Sequence, residues 1–176
     1  AGVMHYYVYD VLLWEGPAPF PRASTDSRPR LHARDGDHDR HAVAIDGACE
    51  HPLHPLLARA GAGIAYGDGC PDNISTAVPG WQTAQRGEVY ALYTLCNTAS
   101  EHLHVFVDSE YVRDMFYKFR DAGFRYLKVG TVDSFAHADL WENICETLRN
   151  ADFTLLLEWV PSHVSDEVVH AGRADP

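Results

Sequence analysis

Lysine is scarce in this chain: of its 14 basic residues only Lys118 and Lys128 are Lys, so any phosphate contacts fall mainly to Arg. Positive charge is scarce as a whole, with 25 Asp and Glu setting the formal charge at −11. That balance argues against a protein that simply coats nucleic acid, because phosphate attraction supplies most non-specific affinity. A nuclease tolerates it only if some acids hold cations and the Arg residues gather locally. Long apolar runs are also missing. None approaches the ~18 residues of a membrane-spanning helix, and no charged-then-apolar signal peptide opens the chain. Cysteine is sparse too: Cys49, Cys70, Cys96 and Cys145 are far apart with no C-x-x-C pair. That spacing suits neither a zinc site nor a secreted disulfide framework. It suits reduced thiols in an intracellular protein (nuclear, cytosolic or mitochondrial) that is not secreted. No internal repeat is visible.

What is present fits one globular domain. The chain has 176 residues, is 46% hydrophobic, and carries ordinary numbers of Gly (13) and Pro (10). At this length about two-thirds of the unfolded surface becomes buried, enough for a core without staples. Residues 1–41 read as an N-terminal extension. Within it, 5–14 (HYYVYDVLLW) is aromatic and β-branched enough for a strand or a packed arm. The following Pro-, Arg-, Asp- and His-rich stretch reads as a linker. Residues 42–176 read as the folded domain. The chain starts at Ala1 and stops at Pro176, which suggests a fragment cut at its last helix.

Within 42–176 the apolar periodicity alternates between two types. Ala42–Ile45 predicts a central strand with Asp46 at its end, followed by strands over Arg59–Gly67 and Asn73–Val78 in an antiparallel meander. Glu88–Thr98 predicts a helix with Val89, Leu92, Tyr93 and Cys96 on one face. His102–Val107 predicts a strand ending in Asp108. Tyr111–Ala122 predicts a helix closed by Gly123, Asp139–Arg149 another, and Phe153–Val160 a last strand. This order makes an α/β fold, a mixed sheet whose apolar faces both need helical cover.

Two strands thus deliver an Asp at their ends, where ligands bind in α/β folds, and Glu88 opens a helix, where the dipole favours a carboxylate. Acids brought together repel unless a cation neutralises them. Hard carboxylate oxygens suit Mg²⁺ or Mn²⁺ rather than zinc. Spacing alone leaves the plainer alternative open, since an Asp after a strand is often a turn former.

Several segments resemble one known family. Asp46-Gly47-Ala48-Cys49 resembles the DG-[SA]-C start of type 1 ribonuclease H, and Arg59-Ala60-Gly61-Ala62-Gly63-Ile64 its second strand, particularly in eukaryotic members. Pro79 to Glu88 (PGWQTAQRGE) is similar to the run into the family's first helix. Asp108-Ser109-Glu110-Tyr111-Val112 matches DS-x-Y-V, and Asp139-Leu140-Trp141 matches DLW. Trp159 to His163 resembles WV-x-GH, and Arg173-Ala174-Asp175 the final acid. The motifs stand in the family's order. The resemblance implies a ribonuclease H-like five-stranded mixed sheet flanked by helices on both faces. It implies hydrolysis of the RNA strand of RNA–DNA hybrids with two Mg²⁺ or Mn²⁺ ions. Carried over by position, Asp46, Glu88, Asp108 and Asp175 are the metal-binding acids, with Asp166 a rival for the fourth. His163 is the mobile histidine of catalysis, or else a turn-capping residue. Cys49, Thr83, Gln85 and Phe119 fall at substrate-contacting positions, with core packing the other use of Phe119.

The departures fall on substrate contacts. Two Asn positions of the family are Pro52 and Ala84 here, and its phosphate pocket corresponds to Trp81, Thr83 and His137. The glycine before the mobile histidine is Ser162, and the Asn before the last acid is Ala171. Discrimination of RNA from DNA rests on 2′-hydroxyl contacts, so these losses weaken hybrid selectivity before hydrolysis. Two other functions remain: a nucleic-acid-binding scaffold that cuts slowly or not at all, and a related nuclease acting on another duplex. His51 and His54 are near Asp46 in sequence and read either as metal neighbours or as surface residues.

Overall fold

A computed structural model describes residues 30–32, 39–67, 69–125 and 136–161. Its strands are β1 (Arg30–His32), β2 (Asp39–Glu50), β3 (Arg59–Ala65), β4 (Ile74–Ala77), β5 (Leu103–Val107) and β6 (Leu155–Trp159). Its helices are α1 (Ala84–Thr98), α2 (Glu110–Asp121) and α3 (Ala138–Arg149). Five strands lie in the order β4-β3-β2-β5-β6. β2, β3 and β4 form the expected antiparallel meander, and β5 and β6 add parallel to it. The sheet is therefore mixed. Short β1 pairs antiparallel with the start of β2, Arg30 opposite His41 and His32 opposite Asp39.

Alternation along the strands separates two faces. Val43, Ile45, Ala62, Ile64, Leu103, Val105, Val107, Leu155 and Leu157 are buried on one of them. The three helices pack there in a single core, contributing Val89, Leu92 and Leu95 from α1, Val112 and Phe116 from α2, and Trp141 and Ile144 from α3. Capping follows ordinary rules. Thr83 Oγ1 accepts from the Arg86 amide at 3.1 Å, and Ser109 Oγ from the Val112 amide at 3.3 Å. Each satisfies an amide that the first helical turn leaves without a partner. Helix α2 also has Glu110 in its first turn and Lys118 and Arg120 in its last, which complements its dipole. It ends at Gly123, whose φ of +66° suits a residue without Cβ.

Two of the boundaries that differ from expectation move a functional acid. β2 does not stop before Asp46 but continues through Gly47, Ala48 and Cys49, because these pair residue by residue with Ala62, Gly61 and Ala60 of β3. Asp46 is thus inside the strand. Helix α1 starts at Ala84 under its Thr83 cap, so Glu88 sits in the second turn rather than at the opening. The dipole argument for a carboxylate at the first turn does not apply to it. Among the described residues no helix lies on the second face of the sheet. The helical cover expected there falls outside them.

Candidate metal centre

The parallel pairing of β2 with β5 ends at Ile45 opposite Val107. β5 stops there, while β2 continues to Glu50 with no strand on that edge among the described residues. Asp46 stands on β2 at this notch, and Asp108 is the first residue after β5. The Trp159 indole donates to the Asp108 carbonyl at 3.0 Å, fixing the backbone where it leaves the strand.

Helix α1 supplies the third acid by pressing directly on β2. A Cβ on Gly47 would lie 2.1 Å from the Glu88 amide nitrogen, and one on Gly87 would lie 2.7 Å from the Gly61 carbonyl oxygen. Real side chains do not approach so closely, so both contacts require glycine. Gly87 costs helix propensity relative to Ala, and the return is a helix seated on the strand backbone. Its position inside α1 is the signal that could have identified this contact from sequence.

The result is a tight group of acids. One carboxylate oxygen from each of Asp46, Glu88 and Asp108 lies within 4.8 Å of the others. Glu88 is 9% exposed. Burial pushes its carboxyl up to about 8, and the neighbouring charges of Asp108 and Asp46 push the same way. A hydrogen bond from the Gly47 amide opposes them. Glu88 Oε2 and Asp108 Oδ1 are both buried without a hydrogen-bond partner. A buried acceptor left unsatisfied costs roughly 1–3 kcal/mol, and more when charged. An all-oxygen donor set with two unpartnered buried oxygens fits a hard divalent cation such as Mg²⁺ or Mn²⁺.

A clamp that the sequence reading missed holds the start of α1. Arg86 Nη1 and Nη2 donate to Asp139 Oδ1 and Oδ2 at 3.1 and 2.7 Å, and its Nε donates to the Pro79 carbonyl at 2.8 Å. The Arg86 hydrogen bonds hold the Asp139 carboxyl below its usual range. Such a fork-to-fork pair fixes orientation as well as distance. Both residues lie inside recognised motifs, which was the available signal. Gln82 adds a second anchor: its Oε1 accepts from the Ala60 amide at 2.7 Å and its Nε2 donates to the Val78 carbonyl at 2.8 Å.

The other sequence-derived candidates divide. Cys49 is half-buried with Sγ 3.3 Å from the Gln82 carbonyl, and burial raises its thiol pKa, in keeping with a packing role rather than a nucleophile. Thr83 serves as the α1 cap while exposed beside the site. Gln85 is exposed, with Oε1 3.2 Å from His137 Nε2. Burial and the nearby Arg86 charge lower the His137 pKa, favouring its neutral form. Trp81 is 79% exposed. Phe119 is corrected: it is 4% exposed, and its ring centroid lies 5.4 Å from that of Trp141. Core packing occupies it, leaving no face for a bound strand. His51 and His54 are exposed in the turn after β2 and are not part of the acid group. His163, Asp166 and Asp175 fall outside the described residues.

The RNase H family model matches residues 38–175, most of the chain and all three acids. None of the curated proteins matches it. The match runs from the start of β2 past β6 and covers every element that builds the acid group. The chain belongs to the RNase H family.

Proposed function

We propose that this protein hydrolyses the RNA strand of RNA–DNA hybrids, with Asp46, Glu88 and Asp108 holding two Mg²⁺ or Mn²⁺ ions. The observation that carries this reading is the convergence of three carboxylates from β2, α1 and the end of β5 within 4.8 Å. When bound, such a pair of ions activates a water and stabilises the leaving oxygen of a phosphodiester. The chain's own part is to hold the carboxylates rigidly. Asp46 is fixed by strand pairing, Glu88 by the glycine contact of α1, and Asp108 by the anchored end of β5. Asp175 completes the acid set and His163 moves a proton near neutrality, a role that suits imidazole. Cys49, Thr83 and Gln85 contact the hybrid from the β2–α1 side.

The test is cleavage of labelled hybrid, duplex RNA and duplex DNA with Mg²⁺, Mn²⁺ or EDTA. Hybrid is expected to be cut fastest, with no cutting in EDTA. Asp108→Asn removes a ligand without changing volume and should abolish cutting while leaving circular dichroism unchanged. Wild-type turnover in that variant would refute the assignment. Exposed Trp81 and the neutral His137 tethered to Gln85 favour a second reading, a binding domain that does not cut. Hybrid binding without metal-dependent cleavage would select it.

A further inference from the structure

The turn between β2 and β3 presents large apolar side chains to solvent. Leu53 is 88% and Leu56 90% exposed, and Leu57 is more than half exposed. Exposed Trp81 lies at the same end of the sheet, because Gln82 beside it accepts from the Ala60 amide and the Cys49 thiol is 3.3 Å from the Gln82 carbonyl. The turn is ordered by its own hydrogen bonds. The His54 amide donates to the His51 carbonyl at 2.9 Å, and the Leu57 and Ala58 amides both donate to the His54 carbonyl at 2.8 Å. Pro52 and Pro55 fix φ within it, and Arg59 Nη1 donates to the Ala58 carbonyl at 2.7 Å. Side chains on such a support lose little freedom on binding. A lone exposed leucine is ordinary, whereas a cluster marks a contact surface.

Charge and area indicate what the surface meets. The chain has 25 acids, yet residues 51–67 and 73–87 contain none. Two acids border the patch: Glu50, opposite Arg59 on β3, and Asp139, whose carboxylate Arg86 holds. Screening confines charge interactions to about 8 Å at physiological salt, so two approaching molecules feel the local surface rather than the net −11. Copies of this chain repel one another where acids face acids, and this patch lacks that repulsion. A nucleic-acid duplex suits it less well, because with Arg86 paired only Arg59 of its two arginines is left to meet phosphates. Burial removes roughly 60–120 Å² per leucine and about 150–250 Å² per tryptophan. Three leucines and Trp81 thus offer on the order of 500 Å². A standard interface buries about 800 Å² on each partner, more than half of it apolar. The patch meets that requirement.

We propose that a second copy of this chain docks on this patch, the Leu53–Leu57 turn and Trp81 of one copy packing on the same residues of the other about a two-fold axis. Two-fold contacts use one patch on both partners, and an apolar, acid-free surface is compatible with itself. The proposal is independent of catalysis, since the residues it uses are not the acids.

Sedimentation velocity of the full chain over a concentration series, in EDTA and without nucleic acid, tests it. The expected result is a reversible monomer–dimer equilibrium that tightens as salt is raised, because salt screens the remaining repulsion and leaves apolar burial intact. Leu53→Ser combined with Leu56→Ser should weaken the dimer at least about tenfold with unchanged circular dichroism. Trp81→Ser is the second variant if the first misfolds, and should weaken it likewise. A chain that is monomeric at every concentration, a dimer that folded variants leave intact, or a dimer that salt weakens would each overturn the proposal. A monomeric chain whose variants instead lose affinity for a labelled RNA–DNA hybrid would overturn it too, and would assign the patch to nucleic acid.

Discussion

Replacing Glu88 with Gln should make the metal-free protein more stable at alkaline pH while removing its function. Glu88 is buried between two other acids, and its carboxyl is raised from 4.5 to about 8. The folded chain therefore holds the Glu88 proton more tightly than the unfolded chain does. The stability linked to that proton is fully present below pH 4.5 and is lost as pH rises to about 8. At 1.36 kcal/mol per unit, the loss across this window is on the order of 4–5 kcal/mol. Gln has the same volume, its carbonyl still accepts the Gly47 amide, and it never ionises. Urea unfolding in EDTA, repeated from pH 5 to pH 9, gives the free-energy difference between wild type and Glu88→Gln. The variant should gain steadily on wild type as pH rises and stop gaining above about pH 8. Adding Mg²⁺ at high pH should stabilise the wild type more, because a cation relieves the repulsion that the variant lacks. A difference that stays constant with pH would refute the reasoning, since Glu88 would then carry no buried repulsion.

Two further outcomes follow from the packing. Gly47→Ala places a Cβ 2.1 Å from the Glu88 amide. It should destabilise the fold by about 3 kcal/mol through overpacking, and cleavage should fall with it as α1 lifts Glu88 away; thermal unfolding and a cleavage assay read the two effects. Ala84→Asn, at the first residue of α1, should raise the preference for hybrid over duplex DNA in competition cleavage, and an unchanged ratio would mean that selectivity lies elsewhere.

Much of the fold was legible because its elements carry strong patterns. The Leu and Val positions of β5, the Leu run of β6, and the spacing of Val112, Phe116, Leu140 and Ile144 mark strands and helices that bury one side. The errors arose where the side chains are small. Gly47, Ala48 and Cys49 show no alternation of size or polarity, so only the partner strand β3 reveals that β2 continues past Asp46. Gly87 weakened the helical pattern of 84–88 and made α1 appear to start late, although Thr83 marks its true start. β1 is three residues in a Pro- and Arg-rich stretch, paired with the start of β2. The site itself was legible only through motifs in order. Nothing in the spacing of Asp46, Glu88 and Asp108 says that a strand, a helix and a strand end bring them together. That convergence depends on two glycines and on the point where β5 stops and β2 continues.

Crystals soaked in Mn²⁺ would test the central claim most directly, through an anomalous difference map phased on the protein. Density is expected between the carboxylates of Asp46, Glu88 and Asp108, in contact with Glu88 Oε2 and Asp108 Oδ1, and absent from crystals of Asp108→Asn. A map with no peak there at a pH above 8, or the three side chains turned away from one another, would contradict the account.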